Sequence, residues 1–369
     1  MKIDIITCHT PQNYGAMLQA YGLQTYIENQ QNEAEIINYA PDIYFEEQSL
    51  FYIGNSHAKS NPLWGIVYLL YMLPSRLKRR RIFNGFRNKH LHITKKRYES
   101  FERLYLDPPI ADQYICGSDQ IWNIKGTRGF NPVFYLGFVK DPKKRHSYAA
   151  SMPADFPLSE RIIGDVVSHI NNLETISVRE SLIYELLQPY VSKPITHVLD
   201  PVFLLDMNQW QLLADASKPI KEKYILIYPM GDNSSTYANA EMLSIKTGLP
   251  IYCITASNKK QKKVSKNFMP SIPAFLQLFK CAQYVITDSF HGTSFSIIFR
   301  KPFWSCQIKN NNHRITSLLD SLGLQNRYIP LGEKIKVDTL PLDYSACVEQ
   351  LEGKIRSSKQ FVDNILSES

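Results

Sequence analysis

Short apolar runs alternate with stretches of helical period along the whole chain, and this alternation limits the possible folds more than any other feature. Lys2–Ile6 reads as a buried strand, followed by a polar loop through Asn13-Tyr14-Gly15. A helix is predicted from about Ala16 to Glu28, where Met17, Leu18, Tyr21, Leu23 and Ile27 fall near a helical period. Further strands are predicted at Glu35–Tyr39, Gln113–Cys116, Ser147–Ser151, Thr175–Val178 and Ile195–Leu199. A fresh series starts at Tyr224–Tyr228 and continues with Pro250–Ile254, Gln283–Thr287 and Pro302–Cys306. Before the third of these, Ser271 is placed to cap a helix with Pro273 in its first turn. Strands that alternate with helices mark βα units around a parallel sheet. Two such series predict an α/β protein with two Rossmann-like domains facing a cleft and joined near 201–222. The expected boundaries are 1–205, carrying a basic and apolar insertion at about 50–105, then 206–343, then a C-terminal helix in 344–369 that crosses back.

The length of 369 residues, about twice that of a usual single domain, agrees with two cores. No apolar run reaches the roughly 18–20 residues of a membrane-spanning helix. Asp4 interrupts what would be the apolar region of a signal peptide, so the first residues are expected to belong to the fold. Cys8, Cys116, Cys253, Cys281, Cys306 and Cys347 show neither CxxC nor metal-ligand spacing. Neither a disulfide framework nor a metal site is expected, and the predicted location is the cytoplasm.

The formal charge of +8 comes from one place: Arg76–Arg97 contains ten Lys or Arg and no acid. Just before it, Pro62–Pro74 runs for thirteen residues without a charge. That segment is too short to span a bilayer, but an aromatic-apolar stretch joined to a basic one suits a protein lying on an anionic membrane face. A core helix followed by a solvated basic helix is the plainer alternative. Nucleic acid is not an expected partner, because no recognised binding motif accompanies the charge.

Three stretches carry residue types suited to chemistry. In the first, an apolar strand ends in Thr287-Asp288-Ser289 and enters a helix through Phe290-His291-Gly292-Thr293. Ligands bind at such strand ends in open α/β sheets, and first-turn N–H groups can hold a phosphate there. His291 would stand beside the anion as a proton donor. An isolated His is more often a satisfied core residue, but strand-end placement beside two hydroxyls and a Gly favours the functional reading. The second stretch is Gly117-Ser118-Asp119-Gln120-Ile121-Trp122-Asn123, where Asp119, Gln120 and Asn123 can bond vicinal hydroxyls and Trp122 offers a face to a sugar ring. The rival reading is a turn in which Asp119 caps a helix. The third is Ser177-Val178-Arg179-Glu180, where Arg179 can grip a carboxylate or phosphate, or simply pair with Glu180 or Glu185 at the surface. Asn13-Tyr14-Gly15 is a weaker signal, since GxGxxG is absent.

At these residues the chain resembles the polysaccharide pyruvyl transferase family. The runs at 117–123, 177–180 and 288–293 match its pattern. So do Asn13-Tyr14-Gly15 with Leu18-Gln19-Ala20-Tyr21, Tyr148-Ala149-Ala150-Ser151, and His197-Val198-Leu199-Asp200-Pro201. The resemblance implies a GT-B-like architecture, with the N-terminal domain on the acceptor side and the C-terminal domain on the donor side. It also implies transfer of pyruvate from phosphoenolpyruvate to a sugar of a surface polysaccharide or its lipid-linked precursor, forming a ketal and releasing phosphate. Phosphoenolpyruvate is a co-substrate, and no cofactor is implied. Within that chemistry His291 would be the acid, Arg179 the anion clamp and Asp119 the base for the sugar hydroxyl. Asn13, Tyr14, Gly15, Ser118, Gln120, Trp122, Asn123, Ser289, Gly292 and Thr293 would contribute to substrate binding. Some members carry Arg two residues before the His, where this chain has Ser289. Arg314, in Asn312-His313-Arg314 ahead of a predicted Leu318–Leu324 helix, is the expected substitute. The runner-up is a GT-B glycosyltransferase using a nucleotide sugar. On the membrane reading the acceptor sugar is carried on polyprenyl diphosphate and the protein is peripheral at the inner face of the cytoplasmic membrane.

Overall fold

The computed structural model describes residues 1–41, 48–127, 129–153, 160–230, 234–255, 263–308, 313–336 and 342–367. The chain divides into two compact units. The first comprises Met1–Arg179, Ile183–Pro201 and Phe361–Ser369, and the second Glu180–Leu182 and Val202–Gln360.

The chain begins with β1 (Lys2–Ile6), α1 (Tyr14–Asn29), β2 (Glu33–Tyr39), α2 (Ser56–Ser60) and α3 (Pro62–His90). There follow β3 (Ile93–Tyr98), α4 (Phe101–Leu106), β4 (Gln113–Gly117) and β5 (Arg145–Tyr148). Then come α5 (Glu160–Asn171), β6 (Ile176–Val178), α6 (Ser181–Leu187) and β7 (Ile195–His197). Among the described residues the sheet order is β3-β2-β1-β4-β5, with β6 and β7 pairing separately. All these pairings are parallel, and single bridges His146–Thr175 and Ala150–Val178 tie β6 to the β5 edge. Parallel strands covered on both faces need continuous apolar runs. β4 meets that need, with every residue of Gln113–Gly117 buried. The core of this unit gathers Ile6, Ile37, Cys116, Trp122, Phe138 and Val178.

The second unit holds α7 (Met207–Asp215), β8 (Ile225–Tyr228), α8 (Ser234–Thr247), β9 (Ile251–Ile254), β10 (Lys266–Phe268) and α9 (Ile272–Cys281). β11 (Tyr284–Thr287), α10 (Phe290–Ile298), β12 (Phe303–Cys306), α11 (His313–Ser321), β13 (Tyr328–Ile329) and α12 (Ser345–Ser367) complete it, except that α12 from Phe361 onward belongs to the first unit. Its described strands form one parallel sheet ordered β10-β9-β8-β11-β12-β13, whose core includes Ile227, Cys253, Ile286 and Trp304. Ser271 caps α9 by accepting from Ala274 N, with Pro273 in the first turn, as its sequence predicts.

Three elements differ from the sequence reading. β5 stops at Tyr148 instead of reaching Ser151, because Ala149 turns to φ 50. The helix expected at Leu318–Leu324 runs over His313–Ser321 and ends before Gly323, whose φ is 67. Lys95, Lys96 and Arg97 lie in an unforeseen strand, β3, where their side chains are exposed while Thr94 and Tyr98 are buried.

The uncharged and basic stretches join in α3, a helix of 29 residues, so about 44 Å long. Asn61 caps it by accepting from Leu63 N and Trp64 N, and Pro62 fills a first-turn position where no N–H is needed. Pro74 lies inside it. The N-terminal half does not bury its apolar residues: Leu63, Trp64, Ile66, Val67, Leu70 and Tyr71 are all exposed. Only Gly65, Ser75, Phe83 and Phe86 are buried along its length. The plainer expectation of a buried core helix is thereby corrected.

Candidate active site

In the first unit the parallel strands β1, β4, β5, β6 and β7 end on one edge, and the polar motif residues follow those ends. Gly117 closes β4 with φ 143, and a Cβ there would lie 1.9 Å from the Tyr148 carbonyl oxygen. Only glycine fits, so the chain can turn sharply into Ser118 and Asp119, the latter at φ 63. Asp119 therefore sits in a turn and caps no helix. Ser118 is buried; its N–H donates to Gln19 Oε1 at 3.2 Å and its hydroxyl to Ala149 O at 2.9 Å and Asp200 Oδ2 at 3.3 Å. Gln19 passes the network on by donating to Thr7 Oγ1 at 2.8 Å.

Arg179 is not displayed at the surface. Its side chain is 2% exposed, with Nη1 donating to Asp200 Oδ2 at 2.7 Å and Nη2 standing 3.8 Å from Asp119 Oδ1. His197 Nε2 donates to the Arg179 carbonyl at 2.9 Å, and Arg179 N donates to Ala150 O at 3.2 Å. The surface pair with Glu180 or Glu185 is thus replaced by a buried pair with Asp200. One arm of the guanidinium is committed inside the protein, and the other faces Asp119, whose side chain is 19% exposed. Chemically, Arg179 compensates a fully buried carboxylate and holds a second one at the rim. It thus stands between two carboxylates, Asp200 and Asp119.

A cavity of ≈ 680 Å³ opens beside this loop, lined by Thr7, Cys8, Asn13, Gln120, Asn123 and Lys125 among others. Its size and polar lining suit a sugar. Gln120 Nε2 is buried there and donates to no described group. Asn123 spends Oδ1 on the N–H groups of Lys125 and Gly126, each at 3.1 Å, so its first job is to shape the turn. Trp122 offers no face to a sugar. It is 0% exposed, its indole N–H donates to Phe134 O at 3.0 Å, and its ring stacks on Tyr135 at 5.4 Å. Asn13 caps α1 by accepting from Ala16 N, yet still reaches the cavity wall. Tyr14 and Gly15 are buried in the first turn of α1, where the Tyr14 ring packs on Phe83 at 5.0 Å.

In the second unit, the end of β11 feeds α10. Asp288 is buried and accepts from Met230 N at 2.5 Å and Thr236 Oγ1 at 3.2 Å, which pins the strand end. Ser289 caps α10 by accepting from Gly292 N at 3.3 Å. A Cβ at Gly292 would meet Thr287 Oγ1 at 2.3 Å, so the glycine lets the helix approach the strand. Thr293 is fully buried and bonds Ser289 O at 3.1 Å and Ser305 Oγ at 2.7 Å. Ser289, Gly292 and Thr293 therefore build the helix start. What they present is His291, in the first turn of α10, where the positive end of the helix favours an anion. Its ring stands edge-on to Phe290 at 5.2 Å, and its Nε2 is buried. Arg314 lies in the first turn of α11, which packs against α10, and not ahead of its helix as expected. Asn312 lies outside the described residues.

Sequence reasoning missed Asp200 and Gln19 as members of the polar network. The available signal was a charged or amide side chain inside an otherwise apolar motif, at Val198-Leu199-Asp200 and Leu18-Gln19-Ala20. Among the described residues no group of three or more His, Cys, Asp or Glu is placed to hold a metal ion.

Two parallel α/β units, each with its motif residues at strand ends, define a GT-B-like protein, and the comparisons agree. UDP-N-acetylglucosamine 2-epimerase from Rickettsia bellii superposes with a TM-score of 0.51 at 12% identity, covering 100% of this chain and 96% of that one. The UDP-GlcNAc 2-epimerase from Methanocaldococcus jannaschii, solved in complex with UDP-GlcNAc and UDP, gives 0.51 at 13% identity and covers 100% of both chains. No curated protein matches the chain. The family model for polysaccharide pyruvyl transferase matches residues 13–310, and the chain belongs to that family.

Proposed function

We propose that this protein transfers pyruvate from phosphoenolpyruvate to a sugar of a surface polysaccharide or its lipid-linked precursor. The observation that carries the reading is the family match over 13–310 together with His291 at the positive end of α10. A proton added to the methylene carbon of the enol makes the neighbouring carbon electrophilic. A sugar hydroxyl attacks it, phosphate leaves, and a second hydroxyl closes the ketal, each hydroxyl losing its proton. His291 supplies the first proton. Asp119, held by Arg179 at the edge of the first sheet, accepts a hydroxyl proton. The test is acceptor-dependent phosphate release from phosphoenolpyruvate, with a gain of one pyruvate ketal in the product mass. Nucleotide release from UDP-GlcNAc without phosphoenolpyruvate would instead favour a glycosyltransferase, the alternative suggested by the nucleotide sugar bound to the structural relative.

No described helix is long and apolar enough to cross a membrane. We place the working enzyme on an anionic membrane surface through α3, whose exposed Trp64, Val67 and Tyr71 precede its run of cations. Co-sedimentation with anionic vesicles is expected, weakening with salt and falling sharply in a Trp64→Ser, Tyr71→Ser double variant. Equal partition onto neutral vesicles, or none onto either, removes this placement.

A further inference from the structure

A second cavity of ≈ 600 Å³ lies in the first unit, where the C-terminal half of α3 faces β2 and β3. Thr10, Gln12 and Gln48 line both it and the cavity that holds Gln120, so the two share a wall. Arg80, Asn84, Arg87 and Asn88 line it from α3 at helical spacing, so this part of the lining is built into one side of the helix. No Asp or Glu is among its described lining residues.

The three arginines of the lining are not equivalent. Arg97 donates to Ala40 O at 2.9 Å and stands 3.7 Å from Glu99, so its charge is already met. Arg80 forms no hydrogen bond or ion pair among the described residues. Arg87 is partly exposed and spends one nitrogen, donating from Nη2 to Asn84 Oδ1 at 3.1 Å. Burial and the charge of Arg80 both push the Arg87 pKa down, so two guanidinium groups without a described counter-ion lie within each other's field. A planar guanidinium fork matches a carboxylate or a phosphate. Either group alone would fill only a small part of this cavity. The rest of the wall is largely amide and hydroxyl, from Asn38, Asn84, Asn88 and Thr10 among others, and suits the hydroxyls of a sugar ring. We propose that this cavity binds a carboxylate-bearing sugar of the acceptor glycan through Arg80 and Arg87, while the sugar to be modified occupies the neighbouring Gln120 cavity. The inference deepens the pyruvyl-transfer reading by making the acceptor an acidic oligosaccharide, and it rests on that reading only for the reaction carried out next door.

Titration calorimetry on the full chain tests it, with trigalacturonate and its carboxyl-reduced form as the probes. The reduced trisaccharide keeps the rings and linkages and should bind about tenfold more weakly or worse. Arg80→Ser and Arg87→Gln are each expected to weaken trigalacturonate binding about tenfold or more, while phosphoenolpyruvate affinity stays unchanged. Arg81→Ser, one residue off the lining, should leave trigalacturonate binding as it is. Equal affinity for the two trisaccharides, no binding of either, or unchanged binding in both lining variants overturns the site. A loss in Arg81→Ser as large as in the other two overturns it as well, by reducing the effect to a diffuse basic surface. Inorganic pyrophosphate that displaces trigalacturonate and binds more tightly overturns the carboxylate in favour of a phosphate group. A phosphoenolpyruvate affinity that falls in step with the lining variants overturns the proposal by giving the cavity to the donor. Acceptor-dependent phosphate release is measured separately. If it is absent while trigalacturonate binds as expected, pyruvyl transfer falls and the cavity stands; if it is present and neither lining variant affects it or trigalacturonate binding, the cavity alone falls.

Discussion

Replacing His291 with alanine is expected to lower phosphoenolpyruvate turnover about 10²–10⁴-fold, the usual worth of a positioned general acid. The fold should survive, because Ser289 caps α10 through Gly292 N and Thr293 ties it to Ser305, none of which involves the imidazole. His291→Gln fills a similar volume and keeps hydrogen-bonding capacity but cannot exchange a proton near neutral pH. It should be impaired to a like degree, with an unchanged far-UV circular dichroism spectrum in both variants. Near-wild-type turnover in either one would show that the ring is only a packing residue beside Phe290.

Arg179→Ala is expected to destabilise the protein by about 3–5 kcal/mol, because it leaves the fully buried Asp200 carboxylate without its cation. Urea unfolding of the full chain reads this directly. Removing both charges in an Arg179→Met, Asp200→Leu variant should recover most of the loss, since the buried charge then disappears with its partner. Turnover should stay low in that double variant, because Asp119 loses the guanidinium 3.8 Å away that fixes it. An Arg179→Ala protein of wild-type stability and weakened phosphoenolpyruvate affinity would instead return Arg179 to the role of anion clamp.

Much of the architecture was legible because parallel strands buried on both faces must be apolar throughout. Gln113–Gly117 and Ile225–Tyr228 announce themselves on that basis. β3 did not, because its three consecutive cations leave only Thr94 and Tyr98 turned inward. Site motifs could be located but their members not sorted, since a motif records every residue needed to build a turn as well as those that touch a ligand. Trp122 and Thr293 are held by core contacts that no spacing reveals. Arg179 read as an anion clamp or a surface pair because its buried partner Asp200 lies 21 positions away, beyond β7. In α3 apolar content left a membrane-facing segment and a core helix both open, and the packing does not supply the core.

The first unit is completed by residues that follow the whole of the second unit in the chain. Val362 and Ile365 are fully buried, Asp363 accepts from the Tyr26 hydroxyl at 2.8 Å, and Phe361 packs near Tyr148. During synthesis the N-terminal unit emerges first yet lacks its closing turns until all of the second unit has been translated. Domains generally fold as units in the order they leave the ribosome. Here that order is broken, and the earliest-made sheet must wait with part of its apolar surface uncovered. A ribosome stalled before Phe361 would therefore hold two nascent units, of which only the later one has its full set of residues.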